Sequence, residues 1–125
     1  MAEGTDRTAG EWARGSLDLM VLSTLAEGPQ YGYRIQEALV RASGGAVSVK
    51  AGTLYPLLHR LEAQGWVKSR WDDSTGRKRK WYRLTPAGRR RLVQEAEEWR
   101  DYAERLWQML APILKQSPDA WEGPP

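Results

Sequence analysis

Residues 51–67 hold the pattern that most restricts this chain. Leu54, Leu57, Leu58 and Leu61 recur at the three- and four-residue spacing of one helix face. Pro56 fits that helix only within its first turn or so, where a missing N–H costs little, so the helix starts near Ala51 and is predicted over 51–64. Gly65 supplies the stop, and Trp66 and Val67 open an extended stretch. Seventeen residues beyond Val67 comes Leu84-Thr85-Pro86-Ala87-Gly88, an N-cap threonine followed by a proline at the first helical position. Between the two runs, residues 66–71 and 80–84 are short aromatic-rich strands, joined by the turn chemistry of Asp72, Asp73, Ser74, Thr75 and Gly76. Alternation points Val67 and Tyr82 inward and Lys68 and Arg83 outward. A helix, a two-stranded ribbon and a further helix in that order describe a winged helix-turn-helix.

The ribbon is also where the charge sits. The whole chain of 125 residues has a net charge of only +3. Residues 1–67 carry six Lys/Arg against seven Asp/Glu, and residues 92–125 carry three against seven. Residues 68–91 carry ten against two, a local excess of eight. A surface of that kind suits a polyanion, the bland alternative being a solvated face.

Upstream, Leu17, Leu19, Met20, Val21, Leu22 and Leu25 make a helix over residues 11–27 apolar nearly all round, which predicts burial. Gly28 and Pro29 end it. A second helix is expected over 30–43, with Tyr31, Ile35, Ala38 and Leu39 on one face. Residues 46–49 form an extended link or minor strand, and Ser48 is the expected N-cap of the third helix. Downstream, a helix from Pro86 to about Ala111 carries Leu92, Ala96, Trp99, Ala103, Leu106, Leu110 and Ile113 in alternating steps of four and three, a heptad seam, and Pro112 should kink or end it. The fold expected is therefore mainly α with a small β-hairpin wing. Residues 1–10 form a disordered N-terminus, 11–85 a winged helix-turn-helix domain, 86–115 a dimerisation helix and 116–125 a disordered tail.

Several functions are excluded by residue supply. With no cysteine, no thiolate metal site can be built. The single histidine, His59, lies beside Arg60 on a helix face with no Gly-rich nucleophile turn nearby, which argues against a histidine-built metal site or a His-based triad, so no cofactor is expected. No apolar run approaches the roughly 20 residues needed to span a bilayer, and Met1 to Gly10 lack the apolar stretch of a secretory signal, which points to the cytoplasm.

What remains is DNA contact. Lys50, Thr53, Tyr55, Pro56, His59 and Arg60 occupy the start and outer face of the third helix, where hydroxyls and cations meet phosphates or base edges. Tyr55 would equally suit packing under the wing, and His59 a phosphate-facing place without a base contact. Arg77, Lys78, Arg79 and Lys80 follow Gly76 at the hairpin tip, and alternation sends the two arginines one way and the two lysines the other. Arg89, Arg90 and Arg91 can extend the patch. The seam residues Leu92, Trp99, Ala103, Leu106, Leu110 and Ile113 suit a two-fold dimer, because a helix of some seven turns exceeds what one small domain covers. Trp99, with Ala96 and Ala103 one turn to either side, is either a core tryptophan or the wall of a pocket for a planar ligand.

Gly28-Pro29-Gln30-Tyr31-Gly32-Tyr33-Arg34-Ile35, Gly52-Thr53-Leu54-Tyr55-Pro56, Leu61-Glu62-Ala63-Gln64-Gly65 and Tyr82-Arg83-Leu84-Thr85-Pro86-Ala87-Gly88, with Leu17-Asp18-Leu19 before them, resemble the PadR family of winged-helix transcriptional regulators. The resemblance spans residues 17–110. It implies a prokaryotic homodimer, usually a repressor, bound to a near-palindromic operator and released by a planar or aromatic compound. It also implies that Trp99 stacks on that effector and that Asp18 of the first helix supplies a polar group to the pocket. Two departures stand out. Tyr31 replaces the histidine many members carry before the Gly-Tyr pair, and Ala103 replaces an acid that some drug-binding members carry one turn after the tryptophan. The same DNA-binding dimer without an effector, or a winged module serving as a protein adaptor, are the alternatives to this reading.

Overall fold

The computed structural model describes the backbone of residues 9–116 and the side chains of residues 15–116. Most of the expected disordered ends, 1–8 and 117–125, lie outside these residues. In chain order the elements are α1 (Ala9–Thr24), β1 (Gln30–Tyr31), α2 (Gly32–Ala42), α3 (Ala51–Ala63), β2 (Val67–Asp72), β3 (Arg79–Leu84) and α4 (Pro86–Leu114). The core lies between α1, α2, α3 and the inner face of the sheet, where Val21, Leu22, Leu25, Ile35, Leu39, Leu54, Leu57, Leu58, Leu61, Val67 and Tyr82 are all buried. This is a winged helix with a long terminal helix.

Most element ends follow local chemistry. Gln64 closes α3, Gly65 takes a φ of +82°, and the N–H groups of Trp66 and Gly65 donate to the carbonyls of Leu61 and Glu62 at 3.0 Å each. This pairing satisfies carbonyls that a helix end otherwise leaves open, and it needs a residue that tolerates left-handed backbone. Thr85 caps α4 by accepting from the Gly88 N–H at 2.9 Å, with Pro86 next in line.

Several expectations are corrected. Gln30 and Tyr31 do not begin α2. They form β1, which pairs antiparallel with β3 through Gln30–Tyr82 and Tyr31–Trp81, giving a three-stranded sheet of order β1-β3-β2. The open edge of β3 takes up backbone groups that a helix start would leave unpaired. Residues 46–49 form no strand. They are held by the Gln36 side chain donating to the Val49 carbonyl at 2.8 Å and by Val47 and Val49 packing on the core. Lys50, not Ser48, is the N-cap of α3, and no side chain caps that end. Burial of α1 is one-sided, for Leu17 and Leu19 are half-buried and Met20 is exposed. Pro112 does not end α4, which runs on to Leu114.

Gly88 marks a close crossing. A Cβ there would collide with the carbonyl group of Trp66, and backbone cannot give way as a flexible side chain can. Gly88→Ala is therefore expected to lower stability by about 2 kcal/mol, read as a shift in the urea midpoint. Gly15→Ala, where an added Cβ meets nothing within 4 Å, is expected to be neutral or stabilising, since alanine favours the helix.

Candidate nucleic-acid interface

The inner face of α3 is fixed by its four buried leucines, so Thr53, Tyr55, Pro56, His59 and Arg60 are left exposed, with Lys50 exposed at the N-cap. The structure divides this outer face into two rows. Tyr55 and His59, four residues apart, border an open cleft of about 710 Å³ with the wing. Thr53, Pro56 and Arg60 border a second hollow, against Leu17 and Asp18 of α1.

Two interactions hold the wing and the start of α2 relative to α3. A Glu62 carboxylate oxygen accepts from the Ser69 N–H at 3.2 Å and from the Ser69 hydroxyl at 2.7 Å, tying the end of α3 to β2. Tyr55 lies over Gly32 at the start of α2, where any Cβ would strike its ring and hydroxyl. Tyr55 thus packs on the start of α2 and remains 36% exposed at the cleft.

Arg77, Lys78, Arg79 and Lys80 all line the cleft, but they divide as strand alternation requires. The Arg79 guanidinium lies 4.3 Å from the Tyr31 ring centre, and Tyr31 meets Trp81 edge-on at 5.0 Å. Lys78 and Lys80 instead lie over the ring of Trp71, at 5.2 and 5.9 Å. Trp71 was not singled out in the sequence. Its place on the same sheet face as Ser69 and Tyr82 could have been found by counting outward from Val67 in steps of two. Tyr82 also lines the cleft and is 1% exposed. Burial, with lesser contributions from Tyr55 and Glu62, pushes its phenol up to about 12.

Other assigned residues have different surroundings. The Arg60 guanidinium is 2.6 Å from an Asp18 carboxylate oxygen, so the proposed base reader and the proposed effector ligand hold each other. Burial raises the Asp18 carboxyl above its usual range, and Arg60 only partly offsets this. Arg89 donates to the Ala26 carbonyl at 2.9 Å behind α1, and Arg91 pairs with the buried Glu95 at 2.7 Å. Two of the three arginines at the start of α4 therefore brace the domain. Leu92 packs against its own core rather than standing in an open seam. Trp99 is half-buried and meets Tyr102 edge-on at 5.8 Å, while Ala96 and Ala103 are exposed. Leu106, Leu110 and Ile113 are 43%, 43% and 59% exposed.

A helix presenting its outer face beside a cationic ribbon defines the winged helix-turn-helix class. Residues 21–94 match the transcriptional regulator PadR-like family. A transcriptional regulator of Mycobacterium tuberculosis is 35% identical over 96 residues, covering 77% of this chain and 87% of that protein. Among solved structures, a transcriptional regulator of Clostridium thermocellum superposes with a TM-score of 0.71 at 32% identity, covering 82% of this chain and 97% of that one. A PadR family transcriptional regulator of Eggerthella lenta gives a TM-score of 0.68 at 38% identity, covering 80% and 86%. The chain belongs to the PadR-like family of transcriptional regulators.

Replacing Arg77, Lys78, Arg79 and Lys80 together by alanine should weaken binding to any DNA duplex. The slope of log affinity against log salt should fall by about 0.9 for each phosphate that the wing no longer neutralises. Fluorescence anisotropy across a salt series measures it, and an unchanged slope would remove the wing tip from the interface.

Proposed function

We propose that this protein is a homodimeric transcriptional repressor, cytoplasmic and nucleoid-associated when bound to DNA. It grips double-stranded DNA with α3 in the major groove and the wing alongside. The observation that carries this reading is the cleft itself, with the exposed row of α3 on one side and four consecutive cations on the other. Phosphate contacts from the wing supply affinity, and Lys50, Thr53, Tyr55, Pro56 and His59 are the α3 groups in reach of DNA. Arg60 joins them only by leaving Asp18.

The partner of α4 is a second copy of this chain. All residues from 101 to 110 are exposed, although Tyr102, Leu106, Trp107, Met109 and Leu110 among them are apolar. An apolar helix end of this extent favours association, and a two-fold pair closes without leaving a further free face. Such a dimer sets two winged domains against half-sites about 34 Å apart on a near-palindromic operator. Leu106→Asp with Leu110→Asp should convert the dimer to a folded monomer, because both side chains are exposed within one chain and unpaired charge would be buried only between copies. Sedimentation equilibrium measures it, and an unchanged dimer would move the interface elsewhere.

The same axis offers an effector site. Trp99 is a half-buried indole with exposed Ala96 and Ala103 one turn to either side, which leaves room for a planar aromatic compound between two copies. A compound that prefers a DNA-incompetent arrangement of the dimer lowers operator affinity by linkage. Trp99→Ala should abolish the change in tryptophan emission on titration with planar dyes or phenolic acids. If the variant binds every such compound as wild type does, Trp99 is only a packing residue and the repressor works without an effector at this position.

A further inference from the structure

The fold leaves an exposed aromatic ring in the cleft that neither the core nor the cationic tip explains. Trp71 is 57% exposed, although an indole ring offers one of the largest hydrophobic areas of any side chain. It stands one residue from the end of the paired ladder, opposite Lys80, with Lys78 and Lys80 both over its ring.

The geometry of a duplex says what such a ring meets. When a helix occupies the major groove and the wing approaches the adjacent minor groove, the sugar–phosphate ridge of one strand separates the two grooves. That ridge must cross the cleft between α3 and the wing. Its phosphates repeat on either side of each deoxyribose, and the sugar itself offers an apolar face. We infer that Trp71 is the seat for one deoxyribose of the crossing strand, with Lys78 and Lys80 taking the flanking phosphates. The inference rests on the DNA-binding reading above and adds to it an interaction that is apolar and indifferent to sequence.

The surroundings fit a backbone ridge. Tyr82 lines the same cleft, and its buried hydroxyl has no hydrogen-bond partner among the described residues. The cleft is open rather than enclosed, as a continuous strand requires, and its walls carry cations at the tip and hydroxyls at Tyr31, Tyr33 and Tyr55.

An apolar seat and an ionic contact differ in their salt dependence, which separates them. Anisotropy of a fluorescein-labelled mixed-sequence duplex is followed across a series of sodium chloride concentrations. Trp71→Ala should weaken binding by about tenfold at every salt concentration, the low end of what losing a ring stacked on a base costs, with the log–log slope unchanged. Lys78→Ala should instead lower that slope by about 0.9. Trp71→Phe should retain most of the affinity, and the quenching of tryptophan emission expected when DNA is added to wild type should be smaller in this variant. Because the ring is exposed, thermal melting of all three variants should match wild type. Wild-type affinity in Trp71→Ala would overturn the seat. So would a slope lowered as in Lys78→Ala, for the ring would then act only by holding the lysines. A wild-type protein that binds no duplex at all would overturn the DNA-binding reading itself.

Discussion

The crossing of the start of α4 over the end of α3 sets the positions of α3, the wing and α4 relative to one another. Thr85 gathers the backbone groups that meet there. Its N–H donates to the Trp66 carbonyl at 3.1 Å, its hydroxyl donates to the Gly65 carbonyl at 2.6 Å, and the same oxygen accepts from Gly88. The backbones approach so closely that only glycine fits at position 88. The end of α3, the start of β2, the end of β3 and the start of α4 are thereby fixed to one another. Buried backbone groups that would otherwise lack partners are satisfied in the same place. The angle of the wing to α3, and the direction in which α4 leaves the domain, both follow from this junction.

From that frame the ten cations of residues 68–91 take separate roles. Those at the wing tip line the cleft, and Lys78, Arg79 and Lys80 lie over the rings of Trp71 and Tyr31. Lys68 and Arg83, directly across from each other, lie on the sheet face that Arg79 shares, opposite to that of Lys80 and Trp71. Arg89 and Arg91 hold carbonyl and carboxylate groups inside the domain. A charge count over the segment therefore overstates the surface that meets a polyanion, because cations committed to internal partners are not released to phosphates.

The ion pair between Arg60 and Asp18 joins the outer face of α3 to α1 across 42 residues of sequence. It links the element that would enter the major groove with the helix that packs against the base of α4. If α4 forms the dimer axis, a change there has a physical route to α3 through this ion pair and the core beneath it. The route is a contiguous set of packed groups, and its coupling strength is a matter for double-mutant measurement.

The sequence by itself determined the elements whose ends are chemical. Pro56, Gly65, Thr85, Pro86 and the leucine spacing of α3 act within a few residues of chain, so helix, wing and long helix were legible, as was the inward turn of Val67 and Tyr82. Tertiary structure decided what depends on partners distant in sequence. Gln30 and Tyr31 became a strand because β3 offered an open edge. Leu92 turned to its own core, Arg60 turned to Asp18, and Trp71 came to stand among the wing lysines. None of these has a local signature, since an arginine or a tryptophan carries the same propensity whichever neighbour it meets. Only the packing of the helices on one another and the pairing of the strands select that neighbour.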